Sequence, residues 1–366
     1  MEILHTSNII KSKLDFIDID LDDINKRNKY AQKTPTATLP FLETKNGNIS
    51  ESKSIEIYLA NKYKPDILGN NIFEKSKINQ WIEFANCEIQ NCINELIYPI
   101  FKGKKKEKKG NENEDKKLKK YLNILEKEFN KGNKYIIGNN ITLADIVLFR
   151  YLRLIMIFYL PEKIRNILCP KLTKWFENIM NTQEAINAYG RTILCKKQLK
   201  PLDIDIKKVQ KKASKFDINN FKQDFMNNKN KKNIMEKFWK EFDSKGYSLW
   251  KIEYQNLEKE GKSLFRMKNS KNFFLERIDE DFKKYSFGIH GVYENNNEYK
   301  VIGLWIWKGE IIPDEIKNND YFNYLIIQKL NNENNNDKKL VEDYLIKCNK
   351  GDIVDNRKVE ECTYFY

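Results

Sequence analysis

The sequence lacks the residues that several common chemistries require. Only two of its 366 residues are histidine, His5 and His290. The sequence therefore offers very few of the histidines that a histidine-based zinc site or a Ser-His-Asp relay needs. The 14 glycines include no GxxxxGK[ST] phosphate loop. The cysteines form no CxxC pair, which in a chain of this length is typical of free thiols in a reducing compartment, and they are Cys87, Cys92, Cys169, Cys195, Cys348 and Cys362. We therefore expect a cytoplasmic protein without a bound metal.

The sequence also lacks a long apolar run free of charge. Residues 141–160 are the most apolar stretch, yet they contain Asp145, Arg150 and Arg153. Each of these would cost ~2.5–3.5 kcal/mol near the centre of a bilayer. The first twenty residues show no signal-peptide pattern. We expect a soluble chain with no membrane insertion, in which 141–160 is a buried helix.

Positive charge is abundant: 66 Lys and Arg against 52 Asp and Glu give a net charge of +14. Nearly all of it is lysine, concentrated in two probable loops, 102–120 and 196–215. No basic motif is interleaved with aromatic residues, so the lysines are interpreted as solvated loops. Weak, salt-sensitive RNA or ribosome association remains an alternative.

The first 65 residues alternate short apolar segments with polar breaks. Three segments are predicted to be strands: EILHTS, FIDIDL (16–21) and TLPFLET. GNIS is predicted to be either a fourth strand or the hairpin turn that follows the third. SESKSIEIYLANKY is predicted to be a helix, because Ile55, Leu59 and Tyr63 recur every four residues. Residues 1–66 are therefore predicted to form a small α/β domain.

The apolar period then changes to 3.6 residues, which predicts an all-helical domain over 71–195. One long helix would bury Ile78, Trp81, Ile82, Ala85, Ile89, Cys92, Ile93 and Leu96, and a second Leu118, Tyr121, Leu122, Leu125 and Phe129. ITLAD opens the most apolar helix, with Thr142 and Asp145 placed for a capping box. Residues 171–189 supply a last helical pair.

The remaining chain changes character twice. Residues 196–216 are Lys-rich and lose periodicity, which indicates a linker. Residues 217–366 combine helices with alternating strands, and they predict an α+β domain with a mostly antiparallel sheet. VIGLWIW is apolar on both faces, as a central covered strand would be. The aromatic cluster of residues 217–366 is interpreted as core, with an anchor for a partner as the alternative. It comprises Trp239, Trp250, Trp305 and Trp307.

The first two domains together resemble the glutathione-transferase fold, a thioredoxin-like half followed by an all-helical half. TLPFL resembles the family's strand in which a proline, usually cis, turns the preceding backbone, here Leu39, towards the ligand. SESKSI resembles its Glu/Gln-Ser pair, and ITLADI resembles its N-capping motif. The order and spacing of the three motifs over about 195 residues carry the resemblance.

The third domain resembles the C-terminal domain of eukaryotic translation elongation factor 1-gamma. The segments that carry the resemblance are FWKEFDSKGYSLWKIEY, NFFLERIDEDFKKYSFGIHGVY, VIGLWIWKGEII and the ending DNRKVEECTYFY. The resemblance implies a non-catalytic subunit of the elongation factor 1 complex. It would hold the elongation factor 1-beta exchange subunit through the transferase-like domain and so support GTP reloading of elongation factor 1-alpha. Homodimerisation through the transferase-like domain is a further expectation.

The resemblance also implies a glutathione site, at Leu39, Pro40, Glu51 and Ser52, although no cofactor would be required. In a transferase, a Tyr, Ser or Cys at the end of the first strand or the start of the first helix usually activates the bound thiol, and Ser7 is the candidate here. Only NIIKSKLD separates EILHTS from the second predicted strand, so the first helix is short and an ordinary turn or cap role for Ser7 is the alternative. Helix capping by their own side chains is the alternative for Glu51 and Ser52. An active glutathione transferase with an added domain is the competing function.

Overall fold

The computed structural model describes residues 2–17, 28–30, 32–35, 39–101, 108–199, 216–278 and 280–366. The chain divides into two compact units, Met1–Pro201 and Leu202–Tyr366, which are described separately below. Most of the Lys-rich segment 196–216 lies outside the described residues. Among the described residues, no helix combines the length and apolar character needed to cross a membrane.

The first unit begins with a helix where a strand is predicted. EILHTS lies in α1 (Glu2–Ile9), so the strand prediction is wrong. The buried residues Ile3, Thr6, Ser7 and Ile10 follow helical spacing, and α1 packs on three other helices of the unit, α2, α7 and α10, whose bounds are given below. Of FIDIDL, Phe16 and Ile17 are exposed and not in a strand, and the other four residues lie outside the described part of the chain.

The predicted hairpin and helix follow. β1 (Phe41–Thr44) pairs antiparallel with β2 (Gly47–Ser50), from Phe41 opposite Ser50 to Thr44 opposite Gly47. α2 (Ser52–Tyr63) starts immediately after β2 and buries Ile55 and Leu59, as its period predicts. The hairpin and α2 are the described core of the thioredoxin-like half.

The helical half follows the predicted 3.6-residue pattern. Its helices are α3 (Ile72–Phe84), α4 (Gln90–Leu96), α5 (Tyr98–Phe101), α6 (Lys108–Phe129), α7 (Leu143–Phe158), α8 (Glu162–Leu168), α9 (Pro170–Met180) and α10 (Gln183–Tyr189). A π-helical turn, Ala85–Ile89, joins α3 to α4, so they run on as the single long helix that the sequence predicts. All eight apolar positions predicted for that helix are buried.

α7 is the buried centre of the helical half, as its sequence predicts. Thirteen of its sixteen residues are buried, Arg153 among them. The Asp145 carboxylate accepts hydrogen bonds from the backbone N–H of Thr142 (2.9 Å) and of Ile136 (2.8 Å), and from the indole N–H of Trp175 (3.0 Å). The Thr142 hydroxyl donates to the same carboxylate at 2.7 Å. The capping residues therefore also tie α7 to α9.

The second unit is an α+β domain built on a six-stranded antiparallel sheet in the order β6-β3-β5-β4-β8-β7. The strands are β3 (Tyr247–Tyr254), β4 (Ser286–Asn295), β5 (Glu298–Lys308), β6 (Leu325–Leu330), β7 (Ile353–Val354) and β8 (Arg357–Phe365). The helices are α11 (Ile218–Asn227), α12 (Lys231–Glu241), α13 (Leu264–Glu276), α14 (Asp314–Lys317) and α15 (Asn335–Ile346). VIGLWIW lies in β5, between β3 and β4 and buried on both faces, as predicted.

Two cores flank this sheet. On one face, residues of β3, β4 and β5 such as Leu249, Ile289 and Leu304 pack with α11, α12 and α15. On the other face, Trp305 and Trp307 are fully buried, and Trp307 stacks on Trp250 with 5.2 Å between ring centroids. The tryptophans of the sheet are therefore core residues rather than an exposed anchor.

Candidate functional site

The predicted glutathione residues meet at one end of the hairpin. Phe41 pairs with Ser50 in the last rung of the ladder, so Leu39–Pro40 and Glu51–Ser52 emerge side by side. The Leu39–Pro40 peptide bond is cis, as predicted, and both residues are exposed. Glu51 is also exposed and Ser52 is half-buried at the start of α2. The four residues thus share one open edge of the unit.

The start of α2 is not capped by its own side chain. Glu51 occupies the N-cap position with φ 67° and ψ 121°, and its side chain makes no capping hydrogen bond. A positive φ is strained for any residue with a Cβ, and such strain is concentrated at binding and catalytic sites. The first N–H groups of a helix carry partial positive charge and bind carboxylates and phosphates. This geometry favours an anionic ligand over the self-capped alternative.

Ser7 does not occupy the position that a thiol-activating group is expected to have. It lies in α1 rather than at a strand end, and it is almost fully buried. Its hydroxyl lies 2.8 Å from the Ser12 hydroxyl and 3.3 Å from the Ser12 carbonyl oxygen. These contacts match the turn role that the sequence left open, and the strand end at which Ser7 was predicted to lie is replaced by α1.

The neighbours of Ser7 form a buried polar network that sequence reasoning missed. Thr6 donates a 2.8 Å hydrogen bond to the carboxylate of Glu56, which is completely buried in α2. Arg150 of α7 lies 3.4 Å from both oxygens of the same carboxylate. The network joins α1, α2 and α7, and a buried pair of this kind needs both partners to offset desolvation. A glutamate on an amphipathic helix carries no sequence signal for such burial.

His5, which lies two residues before Ser7 in α1, is a core residue. His5 is buried between the rings of Phe149 (5.5 Å) and Tyr189 (5.2 Å). Burial, together with the positive charges of Arg150 and Arg153, lowers the pKa of His5 to about 3. The imidazole is therefore neutral and cannot stabilise a thiolate by its charge. Neither Ser7 nor His5 of α1 is therefore placed to activate a thiol.

The second unit contributes no comparable constellation. His290 is buried on β4, stacked on Phe274 with 4.7 Å between ring centroids. Across the described ranges of the chain, no three His, Cys, Asp or Glu side chains cluster as metal ligands would. All six cysteines are free thiols.

Comparison with known proteins identifies both halves. Residues 89–183 match the family described as glutathione S-transferase, C-terminal domain, and residues 205–311 match elongation factor 1 gamma, conserved domain. The chain is 25% identical over 343 residues to probable elongation factor 1-gamma 1 of Arabidopsis thaliana, covering 83% of this chain and 82% of that protein. It is 24% identical over 344 residues to elongation factor 1-gamma of Artemia salina, covering 79% and 78%.

Among solved structures, the GST-like domain of elongation factor 1-gamma from Saccharomyces cerevisiae is similar, with a TM-score of 0.47 and 22% identity. That similarity covers 54% of this chain and 92% of the yeast domain. The two family matches define a transferase-like unit joined to a separate conserved domain. The resemblance noted from the sequence is confirmed: the chain matches the elongation factor 1 gamma conserved domain and is similar over most of its length to elongation factor 1-gamma proteins.

Proposed function

We propose that the chain is a non-catalytic scaffold of the elongation factor 1 complex in the cytoplasm. Its transferase-like unit anchors the elongation factor 1-beta exchange subunit, which reloads elongation factor 1-alpha with GTP. The observation that carries this proposal is the union, in one chain, of the elongation factor 1 gamma conserved domain with a transferase-like unit. The position of Ser7 in a buried helix, bonded to Ser12, supports the absence of catalysis.

Co-purification tests the scaffold role. The tagged full chain is captured from extracts of its own cells at moderate salt, and the bound proteins are identified by mass spectrometry. We expect the exchange subunit in a fixed ratio to the chain. A folded, monodisperse chain that captures no elongation-factor subunit would contradict the proposal.

Glutathione binding is a second candidate activity of the same unit. It is favoured by the cis Leu39–Pro40 bond beside the uncapped start of α2. Calorimetric titration with glutathione should show saturable binding that weakens in Ser52→Ala and is unchanged in the matched variant Ser54→Ala, an exposed serine two residues further along α2. Thiol conjugation to a standard electrophile should stay at background in the wild-type chain. Turnover well above background that is abolished by Ser7→Ala would establish the transferase alternative instead.

The first unit also exposes large apolar side chains that a second copy of the chain would cover. Tyr63 at the end of α2 is 42% exposed, and Ile72 and Phe73 at the start of α3 are 84% and 68% exposed. Self-association through these residues would cover them, consistent with the homodimer that the family resemblance implies. Sedimentation of Phe73→Ser against the wild type measures it, with Phe265→Ser in the second unit as the matched control.

A further inference from the structure

The two ends of the six-stranded sheet are finished differently. At one end, β7 is only two residues long, and the chain beside it is tied back by hydrogen bonds between Gly351 and Val359 and between Val359 and Asp352, both 2.8 Å. At the other end, β6 has six residues and pairs with β3 alone. Proteins usually protect such edges by shortening, covering or charging them. β6 carries one charge, Lys329, and Ile326 is 51% exposed.

Hydrogen bonds at the ends of β3 show which residues of β6 face outward. On the side of β5, the Gly246 carbonyl oxygen accepts a hydrogen bond from the Gly309 N–H (2.7 Å). On the side of β6, the Gln255 N–H donates to the Tyr324 carbonyl oxygen (2.9 Å). Odd-numbered residues of β3 therefore face β6, because backbone direction alternates along a strand. Leu249 lies opposite Leu330, so Leu330, Gln328 and Ile326 face β3.

The backbone groups of Leu325, Ile327 and Lys329 consequently point away from the sheet. The Leu325 N–H donates to the Phe322 carbonyl oxygen in the turn that precedes β6. Among the described residues, none forms a backbone hydrogen bond with the Leu325 C=O or with the N–H and C=O groups of Ile327 and Lys329. They are spaced as in the edge of an antiparallel ladder that has one more strand. A helix or a flat apolar surface cannot satisfy this row, whereas an extended chain can.

Side chains and space along the edge define the occupant further. Lys329 is exposed, and its ammonium group lies 5.7 Å from the ring centroid of Trp250 and donates to the Glu310 carbonyl oxygen (3.0 Å). No carboxylate in the described part of the chain forms an ion pair with it. Beyond Leu330, β3 continues for Tyr247 and Ser248, and an open cleft of about 360 Å³ lies there. The edge therefore suits an acidic residue opposite Lys329 and leaves room for the strand to run on.

We propose that β6 binds an extended segment of another protein as a seventh strand, with an acidic side chain opposite Lys329. The surface lies in the second unit, so the inference goes beyond the anchoring role proposed for the first. Main-chain hydrogen bonds supply the binding, and Lys329 selects the charge of the segment.

Synthetic strands test the proposal on the full chain. The probes are three fluorescein-labelled peptides of alternating valine and threonine whose central residue is aspartate, asparagine or lysine, and binding is followed by fluorescence anisotropy. A cross-strand charge pair should make the aspartate peptide bind about threefold more tightly than the asparagine peptide, and the lysine peptide should bind least. Lys329→Glu should reverse this order, whereas Lys229→Glu, an exposed charge between α11 and α12, should preserve it.

Ile327→Pro distinguishes main-chain pairing with β6 from non-specific binding of the peptides. It removes an outward N–H and leaves the ladder with β3 intact, so the chain should keep its melting temperature and lose saturable binding. Unchanged affinity in Ile327→Pro, or no binding of any peptide below about 1 mM, would overturn the proposal. So would a dimer of the wild-type chain that Ile327→Pro dissociates, because a second copy would then occupy the edge.

Discussion

At the scale of single residues, each unit buries one histidine without using it for chemistry. Burial lowers the pKa of both His5 and His290 to about 3, from an ordinary value of 6.5. Arg150 and Arg153 reinforce the shift at His5, and Lys271 reinforces it at His290. Both rings are therefore neutral in the folded chain at neutral pH. Because the unfolded chain can protonate them, the stability of the folded chain depends on pH.

We predict that this burial makes the first unit acid-labile. Below pH 6.5 the unfolded chain takes up a proton at His5 that the folded chain refuses, so stability falls as the pH drops towards 3. The slope is up to about 1.4 kcal/mol per pH unit for each histidine. His5→Phe should flatten the pH dependence of the unfolding transition of the first unit, measured by thermal melts between about pH 7 and pH 4. An equal slope in wild type and variant would contradict the prediction.

His290 also explains why position 303 is glycine. The two residues lie opposite each other on β4 and β5, and a Cβ at Gly303 would lie 2.0 Å from His290 Nε2. The imidazole cannot move aside easily, because Phe274 and Trp305 enclose it. This constraint follows from tertiary packing and cannot be deduced from the sequence.

We predict that Gly303→Ala destabilises the second unit by about 1–3 kcal/mol, the usual cost of overpacking a core. Chemical denaturation followed by tryptophan fluorescence measures it, since Trp305 is adjacent. The double variant Gly303→Ala/His290→Ala should lose less unfolding free energy than the two single variants lose together, because the smaller side chain at position 290 makes room for the new methyl group. Additive losses would show that the two residues do not compete for the same space.

At the scale of elements, the sequence predicted best where apolar periodicity was long. The longest helices of the first unit, α3, α6 and α7, span several turns each, so their buried positions were predictable. EILHTS is only six residues long, and a run of that length fits a strand or a helix equally well until α7 and α10 pack against it. β6 and β8 were not predicted at all, because β8 finds its partner β4 more than sixty residues away.

The part of the glutathione site that depends on local geometry could be predicted from the sequence, and the part that depends on distant contacts could not. Leu39, Pro40, Glu51 and Ser52 flank one hairpin, and a hairpin places its two ends together by local geometry alone. Ser7 depends on an element whose type was predicted incorrectly. Glu56 was missed because its partners, Thr6 and Arg150, are 50 and 94 residues away along the chain.

The β4–β5 hairpin provides a test at this scale. Its two-residue turn, Asn296–Asn297, has φ values of 52° and 60°, as a type I′ turn requires. Asn296→Val should cost about 1–2 kcal/mol, because a β-branched residue resists positive φ. The melting temperature of the second unit measures the loss, and Asn332→Val in an ordinary loop conformation is the matched control. Equal melting temperatures for the two variants would contradict the assigned turn.

At the scale of the whole molecule, the positive charge is divided unevenly. Residues 216–366 contain 26 basic and 26 acidic residues, so the net charge of +14 belongs entirely to residues 1–215. Residues 216–366 are electrically neutral overall, and the lysine runs at 102–120 and 196–215 account for much of the excess. Any association of this chain with RNA should therefore depend on residues 1–215.

We predict weak RNA binding that vanishes as salt rises and is carried by the lysine run near residue 105. Replacing Lys104, Lys105, Lys106, Lys108 and Lys109 with glutamine should lower affinity for single-stranded RNA at low salt. If all five lysines contact phosphates, the slope of log affinity against log salt should shrink by about 3.5, since each phosphate contact contributes about 0.7. The matched control replaces Lys229, Lys232, Lys240, Lys245 and Lys262 of the neutral domain, and it should leave the slope unchanged. A larger loss in the control than in the test variant would contradict the prediction, because the RNA-binding surface would then lie in residues 216–366 rather than in the Lys-rich first 215 residues.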